Sequence, residues 1–377
     1  MTGQRRGRHR RTRHDASASH TPTTARPRYA AIDLGTNNCR LLVAERTPDG
    51  FRVVDAFSRI VRLGEGLARD GTLSEPAMRR AIGALKVCAD KLGRHRIVHQ
   101  RAVATEACRR AANADAFRRR VQAETGIALQ VIPQAEEARL ALTGCAPLLD
   151  PAVPNALVFD IGGGSTEVIW LRGNDGARAA AGSDTAADRP GHSHGIAAWY
   201  SMPVGVVSLA ERHGATPPDT AAYDTMVGEV AQILQELAAR HAIVDVFASG
   251  GMQMIGTSGT VTTLTGVYQD LARYDRRRVD GCFLGFETVR TVSRRIAAMT
   301  ADERRAHPCI GHNRADFVVP GCAILEAICR TWPVGRLRVA DRGLREGMLL
   351  QMMGHVDTDA LAAPPASVTA AAPCGGA

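Results

Sequence analysis

Ala30–Val43 reads AAIDLGTNNCRLLV, and Leu157–Trp170 reads LVFDIGGGSTEVIW. In each, an apolar run ends on an acid, Asp33 or Asp160, a short turn follows, and a second apolar run returns in hairpin fashion. A repeated strand, acid, turn and strand implies two similar domains, each presenting a carboxylate beside a row of free backbone N–H groups. Facing each other, they would form a phosphate-binding cleft. In the second copy Gly162, Gly163 and Gly164 carry no Cβ, so the backbone can wrap a ligand and aim consecutive N–H groups at phosphoryl oxygens. Asp160 and Glu167 on either side can bind Mg²⁺ directly or through water. A tight hairpin alone would also account for a glycine run. Two flanking acids, and the repetition at Asp33–Asn38, favour the phosphate reading.

Length and composition agree with two domains. The chain has 377 residues, 45% of them hydrophobic, enough for two buried cores of ordinary size. Its formal charge of +9 is concentrated in residues 1–28, which hold eight arginines against the single acid Asp15. The body is therefore close to neutral, and no basic nucleic-acid groove follows from the total. Nine cysteines without a C-x-x-C pair read as free thiols in a reducing compartment, with no metal cage. No apolar leader or stretch of about 20 apolar residues is present, so the expectation is a cytoplasmic protein without a membrane span.

Along the chain, residues 1–28 and 356–377 read as disordered tails, the first a solvated arm able at most to touch nucleic acid or polyanions nonspecifically. Between them, 29–154 is expected to form one domain and 155–355 a second, with a loop from Arg172 to Gly195. His192 and His194 lie in that loop without a nearby third ligand, which argues for a loop over a metal site. Strands are expected at Phe51–Arg62, Arg101–Thr105, Leu129–Ile132, Ala197–Val207, Val244–Ser249 and Leu337–Ala340. Helices are expected from Ser74, from the cap Asn113 to the stop Gly126, from Gln134, over Asp219–His241, over Phe286–Met299, near Arg314–Arg330 and from Leu344. This mixed order defines an α/β class.

Three further segments carry chemistry. Gly256–Thr260 runs into a helix start, where unpaired N–H groups favour an anion, although taken alone ordinary capping by Ser258 or Thr260 is the stronger explanation. In Ala104–Arg109, Arg109 could hold a phosphate bidentately and Thr105 could donate to it, against the plainer reading of a surface ion pair. Glu136 and Glu137 are adjacent on a helix and point about 100° apart, so one can face a cleft while the other pairs outward. A carboxylate in a phosphate site makes sense where it polarises a water for attack.

Taken together these segments resemble the exopolyphosphatase/guanosine pentaphosphate phosphohydrolase (Ppx/GppA) family. The resemblance runs from about Tyr29 to Met353 through AAIDLGTNN, RLGEGL (Arg62–Leu67), ATEACRRAAN, EEARLALTG, DIGGGSTEV, GTSGTVTTL, RADFVVPGCAIL and ADRGLREGML, in that order. It implies two RNase H-like domains of the actin and sugar-kinase superfamily. It further implies Glu137 as the residue activating the hydrolytic water, and Asp33, Asp160 and Glu167 as the acids holding Mg²⁺. Thr36, Asn37, Asn38, Arg62, Gly162, Gly163, Gly164, Ser165, Thr166, Gly259 and Thr260 would cradle substrate, and Thr105 and Arg109 would contact the phosphoryl group under attack. The implied reaction is Mg²⁺-dependent phosphoanhydride hydrolysis of polyphosphate, guanosine pentaphosphate, or both. A possible homodimer comes with the resemblance. The alternatives are a kinase of the same superfamily and a non-catalytic polyphosphate or alarmone sensor. The sequence departs from many relatives at Pro133-Gln134-Ala135 and at Asn38-Cys39-Arg40, and the expectation is a short form without the C-terminal helical domain of long members.

Overall fold

The computed structural model describes residues 26–48, 50–173, 194–214, 219–240 and 251–354. Residues 1–25 and 356–377 of the expected tails, most of the 172–195 loop with His192, and the strand expected at Val244–Ser249 lie outside the described residues, whereas Arg28, expected in the first tail, opens the first strand opposite Glu45. Two sheets organise the chain. The first contains β1 (Arg28–Leu34), β2 (Asn38–Thr47), β3 (Gly50–Ile60), β4 (Ile97–Ala104) and β5 (Gln130–Val131) in the order β3-β2-β1-β4-β5. The second contains β6 (Asn155–Ile161), β7 (Thr166–Gly173), β8 (His194–Met202), β9 (Met252–Thr257), β10 (Phe283–Gly285) and β11 (Arg336–Ala340) in the order β10-β11-β9-β6-β7-β8. In each, three antiparallel strands lead into parallel neighbours, β4 and β5 in one and β9 and β11 in the other. β10 is the one addition to the repeated order, an edge strand of three residues too short to announce itself by alternation.

Strand alternation decides where the two acids face. Ala30, Ile32 and Leu34 of β1 join one core with Phe117 and Val121, while Ala31 joins a second core on the opposite face with Leu140 and Met348. Asp33 shares the face of Ala31 because side chains repeat every second residue. In β6, Leu157, Phe159 and Ile161 enter the large outer core, and Ala156 and Val158 pack with Ala138 and Leu142. Asp160 shares the latter face. Both acids therefore point into the layer between the sheets.

That layer consists of two helices, Gln134–Cys145 and Leu344–Met352. The first places Leu140 toward the first sheet and Ala138, Leu142 and Cys145 toward the second. The second places Leu344, Met348 and Leu349 on the first sheet, although it follows β11 of the second in the chain. Two glycines permit their close approach. A Cβ on Gly347 would lie 1.9 Å from the Leu140 carbonyl oxygen, and one on Gly144 would lie 2.0 Å from that of Gly343.

Several local expectations are corrected. The strand expected through Val207 ends at Met202, and Val206–His213 is a helix. Its first N–H groups are needed elsewhere: Val206 and Val207 donate to the carbonyls of Gly162 and Gly163 at 3.0 and 2.8 Å. Asn113 precedes the Ala114–Thr125 helix without capping it, because its side chain pairs with both backbone groups of Leu73. Gly256 and Thr257, expected within the Gly256–Thr260 turn, instead complete β9, with the helix beginning at Gly259.

Candidate active site

The two hairpins match residue for residue in their turn bonds and strand register. Gly35 N–H donates to Asn38 O at 2.8 Å, and Gly162 N–H donates to Ser165 O at 2.9 Å, so each turn closes on four residues. Asp33 then stands opposite Arg40, and Asp160 opposite Glu167. The duplication thus carries one chemical difference: a cation in the first lobe occupies the place of a carboxylate in the second. Asp33, Gly35, Thr36, Asn37 and Asn38 line one wall of a cleft, and Asp160 with Gly162–Ser165 line the facing wall. Ser258, Gly259, Thr260 and Arg314 add to the second wall, and Thr105 and Glu137 sit at its base.

Glu137 and Glu136 divide as their helical spacing implies. Glu136 pairs with Arg101, whereas Glu137 reaches the cleft and accepts from Arg109 Nη1 at 2.6 Å. Arg109 is in turn fixed by the Ile132 carbonyl at 3.0 Å and by Glu106 at 2.9 Å. Its guanidinium stands behind Glu137 and not among the residues that line the cleft. Burial, followed by the nearby Glu167 charge, holds the Glu137 carboxyl well above the usual carboxylate range, and Arg109 opposes that shift. A carboxylate of raised basicity on a fixed support is what proton abstraction from water requires.

Glu167 is buried, with Oε1 accepting from Ser165 Oγ at 2.7 Å and Ser201 Oγ at 2.9 Å. It stands beside Asp160 without lining the cleft. Burial and the Asp160 charge push it up to about 7, and burial pushes Asp160 up to about 6. Thr166 is fully buried and donates to Val204 O, so its hydroxyl is used within the lobe. Arg62 pairs with Asp316 at 2.7 Å and lies outside the cleft lining. Ser258 caps the Gly259–Tyr268 helix by accepting from Thr260 N–H at 3.1 Å and Val261 N–H at 3.4 Å, with a strained φ of 129°.

Two cleft residues escaped the residue-level reading. Arg40 lines the cleft without a salt bridge among the described residues, and Arg314 donates to the Thr263 hydroxyl. Burial, and after it the neighbouring Arg40, lowers the Arg314 pKa. Two neighbouring guanidiniums that line the cleft without a salt bridge among the described residues form a site for an anion. Their sequence signal was slight, since neither has a partner close in the chain.

The oxygen set fits Mg²⁺. Among the described residues no three His, Cys, Asp or Glu side chains gather into a protein-only cage. Asp33 and Asp160 instead approach from opposite lobes, and the buried Asn37 Oδ1 has no hydrogen-bond partner. Mg²⁺ is ordinarily held by one or two carboxylates, with water and substrate phosphates completing its octahedron.

The paired lobes and the acid- and arginine-lined cleft between them define a phosphate-handling protein of the two-lobed RNase H-like class. The profile of the Ppx/GppA phosphatase family matches residues 42–356, and the chain belongs to that family. It is 29% identical over 340 residues to exopolyphosphatase 2 of Mycobacterium tuberculosis, covering 87% of this chain and 99% of that protein. It is 27% identical over 328 residues to the guanosine-5'-triphosphate,3'-diphosphate pyrophosphatase of Pseudoalteromonas translucida, covering 86% of this chain but 59% of that protein. A solved exopolyphosphatase from Cytophaga hutchinsonii aligns with a TM-score of 0.73 at 27% identity, over 88% of this chain and 99% of its own. The Aquifex aeolicus family member aligns with a TM-score of 0.69 at 25% identity, over 88% and 99%.

Proposed function

We propose that this protein is a Mg²⁺-dependent phosphoanhydride hydrolase that releases the terminal phosphate of inorganic polyphosphate, of guanosine pentaphosphate, or of both. The observation that carries this reading is the placement of Glu137, a largely enclosed but cleft-facing carboxylate of raised basicity, fixed by Arg109 in a cleft otherwise suited to anions. Relatives named for hydrolysis of both substrates support the substrate class.

Each residue then has a task. N–H groups of Thr36–Asn38 and Gly163–Ser165 bind the terminal phosphate, and Arg40 and Arg314 hold the phosphates behind it. Glu137 orients the attacking water and takes its proton, while Arg109 and Glu106 keep the carboxylate in place. Asp33 and Asp160 would hold Mg²⁺, and Glu167, expected from the sequence as a third ligand but held by Ser165 and Ser201 outside the cleft lining, would act on it through Asp160 or water. When bound, the metal supplies positive charge that offsets what builds up on the phosphoryl oxygens. Among the described residues no helix is long and apolar enough to cross a membrane. The described cysteines are all free, which supports a reducing, cytoplasmic setting.

The test is Glu137→Ala. Phosphate release is expected to disappear while polyphosphate affinity, measured by calorimetric titration, stays within a few-fold, since the side chain positions water and grips little phosphate. Undiminished turnover in this variant would assign water activation to another group.

A further inference from the structure

The two hairpin turns touch across the cleft. A Cβ on Gly163 would lie 3.1 Å from Thr36 Cβ and 3.2 Å from Asn37 N, and one on Gly164 would lie 3.1 Å from Thr36 Oγ1. The lobes are closed here, and a specific contact holds them. The backbone after β3 follows the outside of the first turn: Val61 and Arg62 N–H both donate to Asn37 O at 2.8 and 3.1 Å, and Gly64 N–H donates to Thr36 O at 2.9 Å. Following that path forces Arg62 to a φ of 47°, a left-handed conformation that a non-glycine residue adopts only under constraint. The result is a side chain thrown across to the other lobe. Its guanidinium bonds Asp316 Oδ2 at 2.7 Å and lies 5.1 Å from the centre of the Phe317 ring. Asp316 and Phe317 stand between Arg314 and Val318, and Arg314, Phe317 and Val318 all line the cleft. A second strap runs parallel, from Gly66 N–H to Glu211 Oε1 at 3.2 Å.

We propose that Arg62 is an interlobe latch, a positioning residue that sets the Thr36–Asn37 turn at working distance from Arg314 without touching substrate. This rests on the hydrolase reading of the cleft. The bond suits a reversible role. Both partners remain about one-third exposed, at 35% and 33%, so water competes for them and opening carries no large barrier. The stacked Phe317 adds a face that an ammonium group would fill less well.

The test is a double-mutant cycle with Arg62→Ala, Asp316→Ala and the pair, together with Arg62→Lys. Either alanine variant should raise the KM for polyphosphate about tenfold by depopulating the closed state, with kcat held within a few-fold and thermal midpoint unchanged. The double variant should be no worse than either single one, and Arg62→Lys should recover part of the loss. Small-angle scattering without substrate should show a larger radius of gyration for the alanine variants than for the wild type. A raised KM in Arg62→Ala with Asp316→Ala unaffected would mean that Arg62 contacts substrate, and multiplying effects in the double variant or an unchanged radius would equally overturn the latch. A wild-type protein that releases no phosphate sinks the hydrolase reading but leaves the scattering comparison standing, so the two failures are distinguishable.

Discussion

At the scale of single residues, the repeat is informative where it breaks. Asp33 and Asp160 were legible in the sequence because each ends an apolar run at a turn, and the pleat sends both into the same layer. The pairing of Asp33 with Arg40 and of Asp160 with Glu167 shows that one hairpin keeps two acids while the other trades one for a cation. Arg314 was legible only as part of a longer phrase, because the contacts that make it matter are not local. Its burial beside Arg40 without a contacting carboxylate implies that it serves a ligand at some expense to the fold. Arg314→Ala is accordingly expected to raise the KM for polyphosphate about tenfold, the loss of a charge-assisted pair, while its unfolding temperature stays level or rises. A drop of several degrees by calorimetry would show that the guanidinium is structural.

At the scale of elements, hairpins and helix starts were readable because their determinants sit within a few residues. Ser74 caps the Glu75–Gly93 helix, and Gly126 ends Ala114–Thr125 at a φ of 71°. The packing of the Leu344–Met352 helix on the first sheet was not readable, since apolar spacing shows that a helix has a face but not which sheet receives it. The bond from Arg62 to Asp316 was hidden for the same reason, its ends standing 254 positions apart in the chain. Where the two central helices cross, the clash distances at Gly347 and Gly144 leave no room for a methyl group. Gly347→Ala is expected to destabilise by about 1–3 kcal/mol, the usual cost of overpacking. Gly83→Ala is the control: nothing lies within 4 Å of its Cβ position, and a stabilisation of up to about 1 kcal/mol is expected from helix propensity. Chemical denaturation of both variants checks the pair. A tolerated Gly347→Ala would mean that the helices are not in contact there.

For the whole molecule, buried acids that suit a cation should make the metal-free protein sensitive to pH. Asp160 is pushed from 3.8 up to about 6 and Glu167 from 4.5 up to about 7, burial leading in both. Through that window the unfolded chain has released protons that the folded chain still holds, so stability falls as pH rises. With a chelator present, the thermal midpoint is expected to drop between pH 5 and pH 8, by shifts that follow from those two values, and added Mg²⁺ should restore more at pH 8 than at pH 5. A midpoint that climbs over this range would mean that the carboxylates are stabilised as anions by the protein alone. The raised Glu137 should likewise place the acidic limb of kcat above the ordinary carboxylate range. The most direct measurement is steady-state phosphate release by the full chain from polyphosphate, guanosine pentaphosphate and ATP, each with and without Mg²⁺. Metal-dependent release from at least one of the first two, exceeding that from ATP, is the expected result; release from neither, or from ATP alone, would contradict a cleft built to hydrolyse their terminal anhydride.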